Sequence, residues 1–241
     1  MSMTTIPSRL NQALELAQEE LVNQMCHEVW VNIPRKYNRF PEWKVEEITS
    51  NHPKVFINRD CEDLGPATKV FGPALVLEPD DIIVYVDDDT SYDYHMVKNL
   101  IKWHTVFGCA VGLSGFNFDN YFNGYFPREH GASVDVIEGY GGVLVKACWI
   151  KQMYPTFLQL TEEAKFADDV VLSFLMKNVT GIEIKTVFVP ECNVISCVKQ
   201  YNYGFGPDAL HNQVQGGHKE NYAKVLDSIK RFFAKKYQGT R

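Results

Sequence analysis

No stretch of this 241-residue chain is long and apolar enough to span a bilayer, and the opening Met1-Ser2-Met3-Thr4-Thr5-Ile6-Pro7 has neither a basic flank nor an apolar run. The expectation is a cytoplasmic protein without a membrane span or secretion signal. Basic charge is also scarce: the formal net charge is −6, and the densest cluster is Lys230-Arg231 with Lys235-Lys236. Those four suit the last turns of a helix, so no nucleic-acid partner is expected. The six cysteines, at 26, 61, 109, 148, 192 and 197, form no CxxC pair, and Cys109 and Cys148 sit in apolar runs. That excludes a zinc knuckle and argues for reduced, buried thiols over a disulfide framework. Internal repeats and low-complexity tracts are missing too. What remains is 45% hydrophobic and 13% aromatic, enough for one packed α/β core over 1–241.

Short β-rich runs alternate with helical periodicity, the pattern of layered α/β folds. Helices are expected from Ser8, with Leu10, Leu14, Ala17 and Leu21 on one face, from Gly65 to about Leu77, over Asp93–Trp103, over Asp168–Lys177 and over 218–237. Strands are expected at Glu28–Ile33, Lys54–Ile57, Asp81–Val86, Cys109–Leu113, Val134–Ile137, Val143–Lys146 and Glu183–Val189. Asn117–Gly131 reads as a loop, and the Gly-rich stretch 200–217 as a mobile lid.

Val86-Asp87-Asp88-Asp89 closes the strongest strand. Three adjacent carboxylates repel one another and raise one another's pKa unless a cation compensates. Side chains at i and i+2 of an extended backbone share a side, so Asp87 and Asp89 are expected to converge on one ion while Asp88 faces elsewhere. Hard oxygen donors favour Mn²⁺ or Mg²⁺. The plain structural alternative is an acidic turn in which Ser91 or Asp93 caps the next helix. An EF-hand loop fails, because Lys98 stands where the acidic twelfth ligand is needed and Tyr92 where glycine is.

Five segments then fall in order: Thr4-Thr5-Ile6-Pro7-Ser8-Arg9, Val31-Asn32-Ile33-Pro34, Glu62-Asp63-Leu64-Gly65-Pro66-Ala67-Thr68-Lys69, Ile83 to Asp89, and Phe166-Ala167-Asp168-Asp169-Val170. Over about residues 3–190 the chain resembles glycosyltransferases of the GT-A fold, in particular the small transferases encoded by chlorella viruses and implicated in capsid-protein glycosylation. The resemblance implies an α/β/α sandwich with a mostly parallel mixed central sheet. It implies a nucleotide-diphospho-sugar donor, UDP-linked by preference, bound by 1–115, and a glycan or glycoprotein acceptor bound by 116–217. Carried over by position, Thr5, Pro7 and Arg9 edge the nucleotide pocket, Asp63 accepts from base or ribose, and Lys69 reaches a phosphate. Asp89 holds the metal, while Asp87 and Asp88 serve the ribose and metal-bound water. Asp169, with Asp168 as substitute, is the general base, and His211 completes the metal shell or meets the diphosphate.

Glu138-Gly139-Tyr140-Gly141-Gly142 lies between two strands, where Gly141 and Gly142 would admit a sugar to the backbone and Tyr140 would stack on it. Its plain structural reading is a hairpin turn. Two rival functions stay open. One is a haloacid-dehalogenase-like phosphotransferase using Asp87, Asp89 and Asp168-Asp169, although Ser91 stands where Thr or Val is usual. The other is a non-catalytic nucleotide-sugar-binding protein.

Overall fold

The computed structural model describes residues 1–44, 47–121, 129–189 and 217–238. Its centre is an eight-stranded sheet ordered β3-β2-β1-β4-β9-β5-β10-β7. β1 (Ser2–Thr4) is parallel to β2 (Val29–Asn32) on one side and to β4 (Ile82–Tyr85) on the other, and β3 (Val55–Asn58) extends the parallel set beyond β2. β9 (Val143–Lys146) runs antiparallel between β4 and β5 (Ala110–Gly112). β10 (Ile184–Thr186) lies parallel to β5, with β7 (Ala132–Ser133) antiparallel at the edge. β6 (Gly115–Phe116) and β8 (Val136–Ile137) pair separately. This is the mostly parallel mixed sheet expected.

The apolar runs are continuous because both faces of the sheet are covered. Along β4 the side chains alternate. Ile83 and Tyr85 enter a core with α2 (Thr68–Ala74), α5 (Ala147–Phe157), α7 (Asp168–Leu175) and α8 (Gly217–Gln238). Val84 and Val86 enter the opposite core with α1 (Leu10–Glu19) and α3 (Met96–Phe107). In β9, Val143 and Val145 face the first core and Leu144 the second. α8 contributes Tyr222, Val225, Ile229 and Phe233 as buried residues, with Leu226 and Phe232 packed alongside, the face read from its periodicity.

Several boundaries differ from expectation for local reasons. α2 ends at Ala74; within it Pro73 lacks the N–H that would bond the Lys69 carbonyl, and that oxygen accepts from Ser2 Oγ instead, at 2.6 Å. α3 starts at Met96 with His95 as N-cap, so neither Ser91 nor Asp93 caps it, though Asp93 Oδ1 accepts from the His95 amide at 2.8 Å. α3 closes at Gly108, whose φ of 64° suits a residue without Cβ. The loop expected at Asn117–Gly131 carries a helical turn, α4 (Phe118–Tyr121). β1, α5 and the short α6 (Glu162–Lys165) were not anticipated. Gly139-Tyr140-Gly141 is a 3-10 turn and not a hairpin, because β8 and β9 pair with other strands.

Among the described residues the cysteines at 26, 61, 109 and 148 are free, and no helix is long and apolar enough to cross a membrane. Cys192, Cys197 and most of the Gly-rich stretch 200–217 lie outside the described residues.

A polar hub locks the parallel strands in register. Buried Asn32 donates to Ser2 Oγ and to the Met3 carbonyl, both at 2.8 Å, and accepts from Asn58 Nδ2 at 2.8 Å. A Cβ on Gly72 would fall 2.4 Å from Asn32 Oδ1, so the helix can approach only as glycine. Replacing Asn32 leaves several buried partners without bonds. Asn32→Ala is expected to lose about 2–4 kcal/mol in urea unfolding, against about 1 kcal/mol or less if the hub contributes nothing beyond a surface change.

Candidate active site

After β1 the chain moves outward through β2 and β3, then crosses back to β4 on the other side of β1. At such a reversal the loops leaving adjacent strands diverge and open a crevice at their carboxyl ends. β1 sends Thr5-Ile6 and the 3-10 turn Pro7–Arg9 into it, and β4 sends Asp87-Asp88-Asp89. Pro7 occupies the first helical position, where a missing N–H costs nothing.

The three aspartates do not sort as i and i+2. The strand ends at Tyr85 and a turn follows, so alternation stops and two cations divide the group. Arg9 reaches Asp88 Oδ1 at 3.2 Å and Asp89 Oδ2 at 3.0 Å through one nitrogen. Thr5 Oγ1 donates to Asp88 Oδ2 at 2.6 Å, and Tyr37, a residue sequence reasoning missed, donates to the Thr5 carbonyl at 2.7 Å. Asp87 turns to Lys69, with Nζ 2.6 Å from Oδ1. Asp87 is also the more accessible, its side chain 33% exposed against 10% for Asp88 and 19% for Asp89.

Lys69 is buried, and its ammonium also lies 2.9 Å from Asp168 Oδ2 at the start of α7. The neighbouring Asp169 is held differently: its Oδ1 accepts from the Gly139 amide at 2.9 Å. Asp63 is committed to the backbone, accepting from the Asn38 amide at 2.6 Å and the Gly65 amide at 3.0 Å. It thus ties the loop after β2 to the turn before α2. Close packing explains the glycines of the 139–142 turn without a ligand. A Cβ on Gly141 would meet Ser114 at 2.9 Å, and one on Gly142, at φ 80°, would meet Met96 Sδ at 2.5 Å. Tyr140 shares the Ser114 hydroxyl with Glu138: Ser114 Oγ lies 2.8 Å from Tyr140 OH and donates to Glu138 Oε2 at 2.7 Å. Glu138 is a second residue that sequence reasoning missed; its signal is a carboxylate directly abutting the buried Val136-Ile137 pair. His211 lies outside the described residues.

Among the described residues carboxyl groups outnumber cations here, and burial is the leading reason their pKa values rise. Asp89 is pushed up to about 6 by burial and by the charges of Asp87 and Asp88, against Arg9. Burial raises Asp88 despite Arg9 and the Thr5 hydrogen bond, and raises Asp168 despite Lys69. Asp169 stands well above the ordinary range through burial and the adjacent Asp168 charge. Burial takes Glu138 up to about 7, against the pull of the Ser114 hydrogen bond. Among the described residues no three His, Cys, Asp or Glu side chains are grouped so as to hold a metal ion unaided. The raised Asp89 carboxyl nonetheless fits a hard cation, because added positive charge relieves the repulsion that raises it.

No protein-family model and no curated protein matches the chain. Among solved structures it is similar to 2-C-methyl-D-erythritol 4-phosphate cytidylyltransferase of Francisella tularensis, at 12% identity and TM-score 0.40 over 75% of this chain and 80% of that one. It is similar to UTP-bound UGPase from Acinetobacter baumannii, at 10% identity and TM-score 0.46 over 82% and 84%. It is also similar to residues 1–349 of S. aureus TarS, at 11% identity and TM-score 0.48 over 96% and 70%. At these identities and TM-scores the likenesses carry no argument about chemistry.

Glu138 makes the acidic burial measurable. Its folded pKa lies above its value of 4.5 when unperturbed, so the folded protein holds the proton more tightly. The stability this contributes is complete below about pH 4.5 and is lost as pH rises through about 7. Glu138→Gln keeps the shape and an acceptor for Ser114 but does not titrate. Between pH 5 and pH 8 the wild type is expected to lose up to about 3 kcal/mol more than this variant in denaturant unfolding. Parallel pH profiles would show that the carboxyl is not held neutral.

Proposed function

We propose that this protein is a metal-dependent glycosyltransferase that moves a sugar from a nucleotide-diphospho-sugar to a hydroxyl of a glycan or glycoprotein acceptor. The observation that carries this reading is the convergence of Arg9, Asp87, Asp88 and Asp89 at the β1/β4 reversal with Asp168-Asp169 across Lys69. The donor nucleotide, UDP by preference, and the acceptor class rest on the sequence resemblance.

Mn²⁺ or Mg²⁺ would be held by Asp89, with Asp87 as the accessible second carboxylate, leaving positions for diphosphate oxygens and water. Bound there, the ion supplies Lewis-acid stabilisation of the negative charge on the departing β-phosphate. Arg9, a planar guanidinium held between two carboxylates, keeps both aligned and sets a positive charge beside the proposed diphosphate position. Thr5 fixes Asp88 and, with Arg9, keeps it from following the ligand.

The acceptor hydroxyl needs a base. Asp168 is committed to Lys69, which leaves Asp169 as the carboxylate free to take a proton. The Gly139 amide fixes Asp169 through Oδ1, so Oδ2 is the atom offered to the acceptor. A raised pKa makes Asp169 a stronger base than a surface carboxylate, once it is ionised. A base placed opposite the leaving group gives inversion at the anomeric carbon. Tyr140, next to Gly139, presents a ring at the same turn for a sugar face.

Calorimetric titration of UDP-, GDP- and dTDP-sugars should show donor binding about 10-fold or more tighter with Mn²⁺ than with EDTA, and Asp89→Ala should abolish the gain. Asp169→Asn should lower turnover about 10²- to 10⁴-fold with donor affinity kept. Donor binding indifferent to metal would remove the metal claim, and NMR of a product with retained anomeric configuration would remove the role of Asp169 as base. Release of pyrophosphate from a nucleoside triphosphate and a sugar 1-phosphate would make the protein a nucleotidyltransferase instead.

A further inference from the structure

The sequence resemblance implies a phosphate ligand at Lys69; its surroundings point to other work. Its side chain is 4% exposed, in a helix whose seven residues are all buried. The ammonium lies 2.6 Å from Asp87 Oδ1 and 2.9 Å from Asp168 Oδ2, and 5.7 Å above the centre of the Tyr85 ring. A Cβ on Gly139 would fall 2.8 Å from Nζ and 3.3 Å from Asp169 Oδ1, so the Gly139 turn is shaped around this head group. Burial opposes the charge, yet Asp168 and Asp87 outweigh it and hold the ammonium ionised. Were Lys69 to leave this pocket for a phosphate, Asp168 would stay buried without its counter-ion, the costliest way to break such a pair.

We infer that Lys69 is a positioning residue, a fixed internal counter-ion that ties the Asp87 end of the donor site to the Asp168-Asp169 start of α7, and not a ligand for the donor's phosphates. Four segments depend on its head group: the Lys69 turn of α2, the end of β4, the start of α7 and the Gly139 turn. Losing it releases Asp168 and reshapes the turn whose amide aligns Asp169. The effect belongs in turnover and not in donor affinity. The kinetic consequence rests on the glycosyl-transfer reading; the ionic coupling does not.

The test uses the full chain as Lys69→Met, near in shape and uncharged, and as the double variant Lys69→Met/Asp168→Asn. In unfolding experiments Lys69→Met is expected to lower the folding equilibrium about 100-fold or more, and the double variant to recover most of that loss. A double variant no more stable than Lys69→Met would overturn the coupling. The double variant also tests the ligand question if Lys69→Met does not fold. Its affinities for UDP and uridine, and for GDP, dTDP and their nucleosides, should keep the wild-type ratio within about 3-fold; a phosphate contact would cost the diphosphates alone about 10- to 100-fold and overturn the inference. In folded Lys69→Met, kcat should fall about 10-fold or more while the donor KM stays within about 3-fold. An unchanged kcat would reduce Lys69 to a support of the fold and overturn the positioning role. Should the wild type bind no nucleotide and transfer no sugar, the proposed function fails, while the stability comparison still decides whether Lys69 couples Asp87 to Asp168.

Discussion

Negative charge gathered where water is scarce is the constraint around which this molecule is arranged. Asp87, Asp88 and Asp89 leave β4, Asp168 and Asp169 open α7, and Glu138 ends β8, all near one crevice. Among the described residues Arg9 and Lys69 are the cations paired with them, and each is shared between two carboxylates. Sharing limits the compensation, and the remaining imbalance appears as raised carboxyl pKa values with burial as the leading cause. Such a site is relieved by protons or by an added cation. A ligand that brings a divalent ion relieves it without silencing the carboxylates the chemistry needs.

The sheet topology decides who meets whom. Because β1 is central and β4 lies across it from β2 and β3, the Thr5–Arg9 turn and the aspartates face each other over a crevice, although about 80 residues separate them. β9 enters antiparallel beside β4 and leads into α5, and the chain returns to present α7 at the same edge. Lys69 then joins the two halves, since Asp87 belongs to the stretch expected to hold the donor and Asp168 to the stretch expected to hold the acceptor. A polar framework behind the site keeps these loops from drifting: Asn32 holds β1 and β3, Ser2 holds the Lys69 carbonyl, and Asp63 clamps the turn before α2.

The central strand and the C-terminal helix were legible because their apolar periodicity answers to packed layers; the division into two cores was not, since it depends on which sheet face each helix covers. α5 was not: its apolar residues continue β9 without a break, Lys146 makes no side-chain cap, and Pro155 sits inside it. β1 was not, because Ser2-Met3-Thr4 is too short for an alternation and owes its place to neighbours on both sides. At the site, residue types and order pointed to Arg9, the aspartate run and Asp168-Asp169. Their pairing was invisible. The i and i+2 rule failed for Asp87 and Asp89 because the strand stops at Tyr85 and a turn follows, and the burial of Lys69 depends on partners 18 and 99 positions away in sequence, from Lys69 to Asp87 and to Asp168. Gly141 and Gly142 read as room for a sugar but are explained by Ser114 and Met96.

On the proposed function, the acidic crevice completes a cation site only together with a diphosphate. Electron paramagnetic resonance of free Mn²⁺ tests it directly, by titrating the protein into Mn²⁺ alone and into Mn²⁺ with UDP, GDP or dTDP. One of these nucleotides and the protein together should deplete the free-ion signal well beyond either alone, and Asp89→Ala should restore it. A signal no lower in the ternary mixture than the two binary mixtures require, for every nucleotide, would contradict this reading.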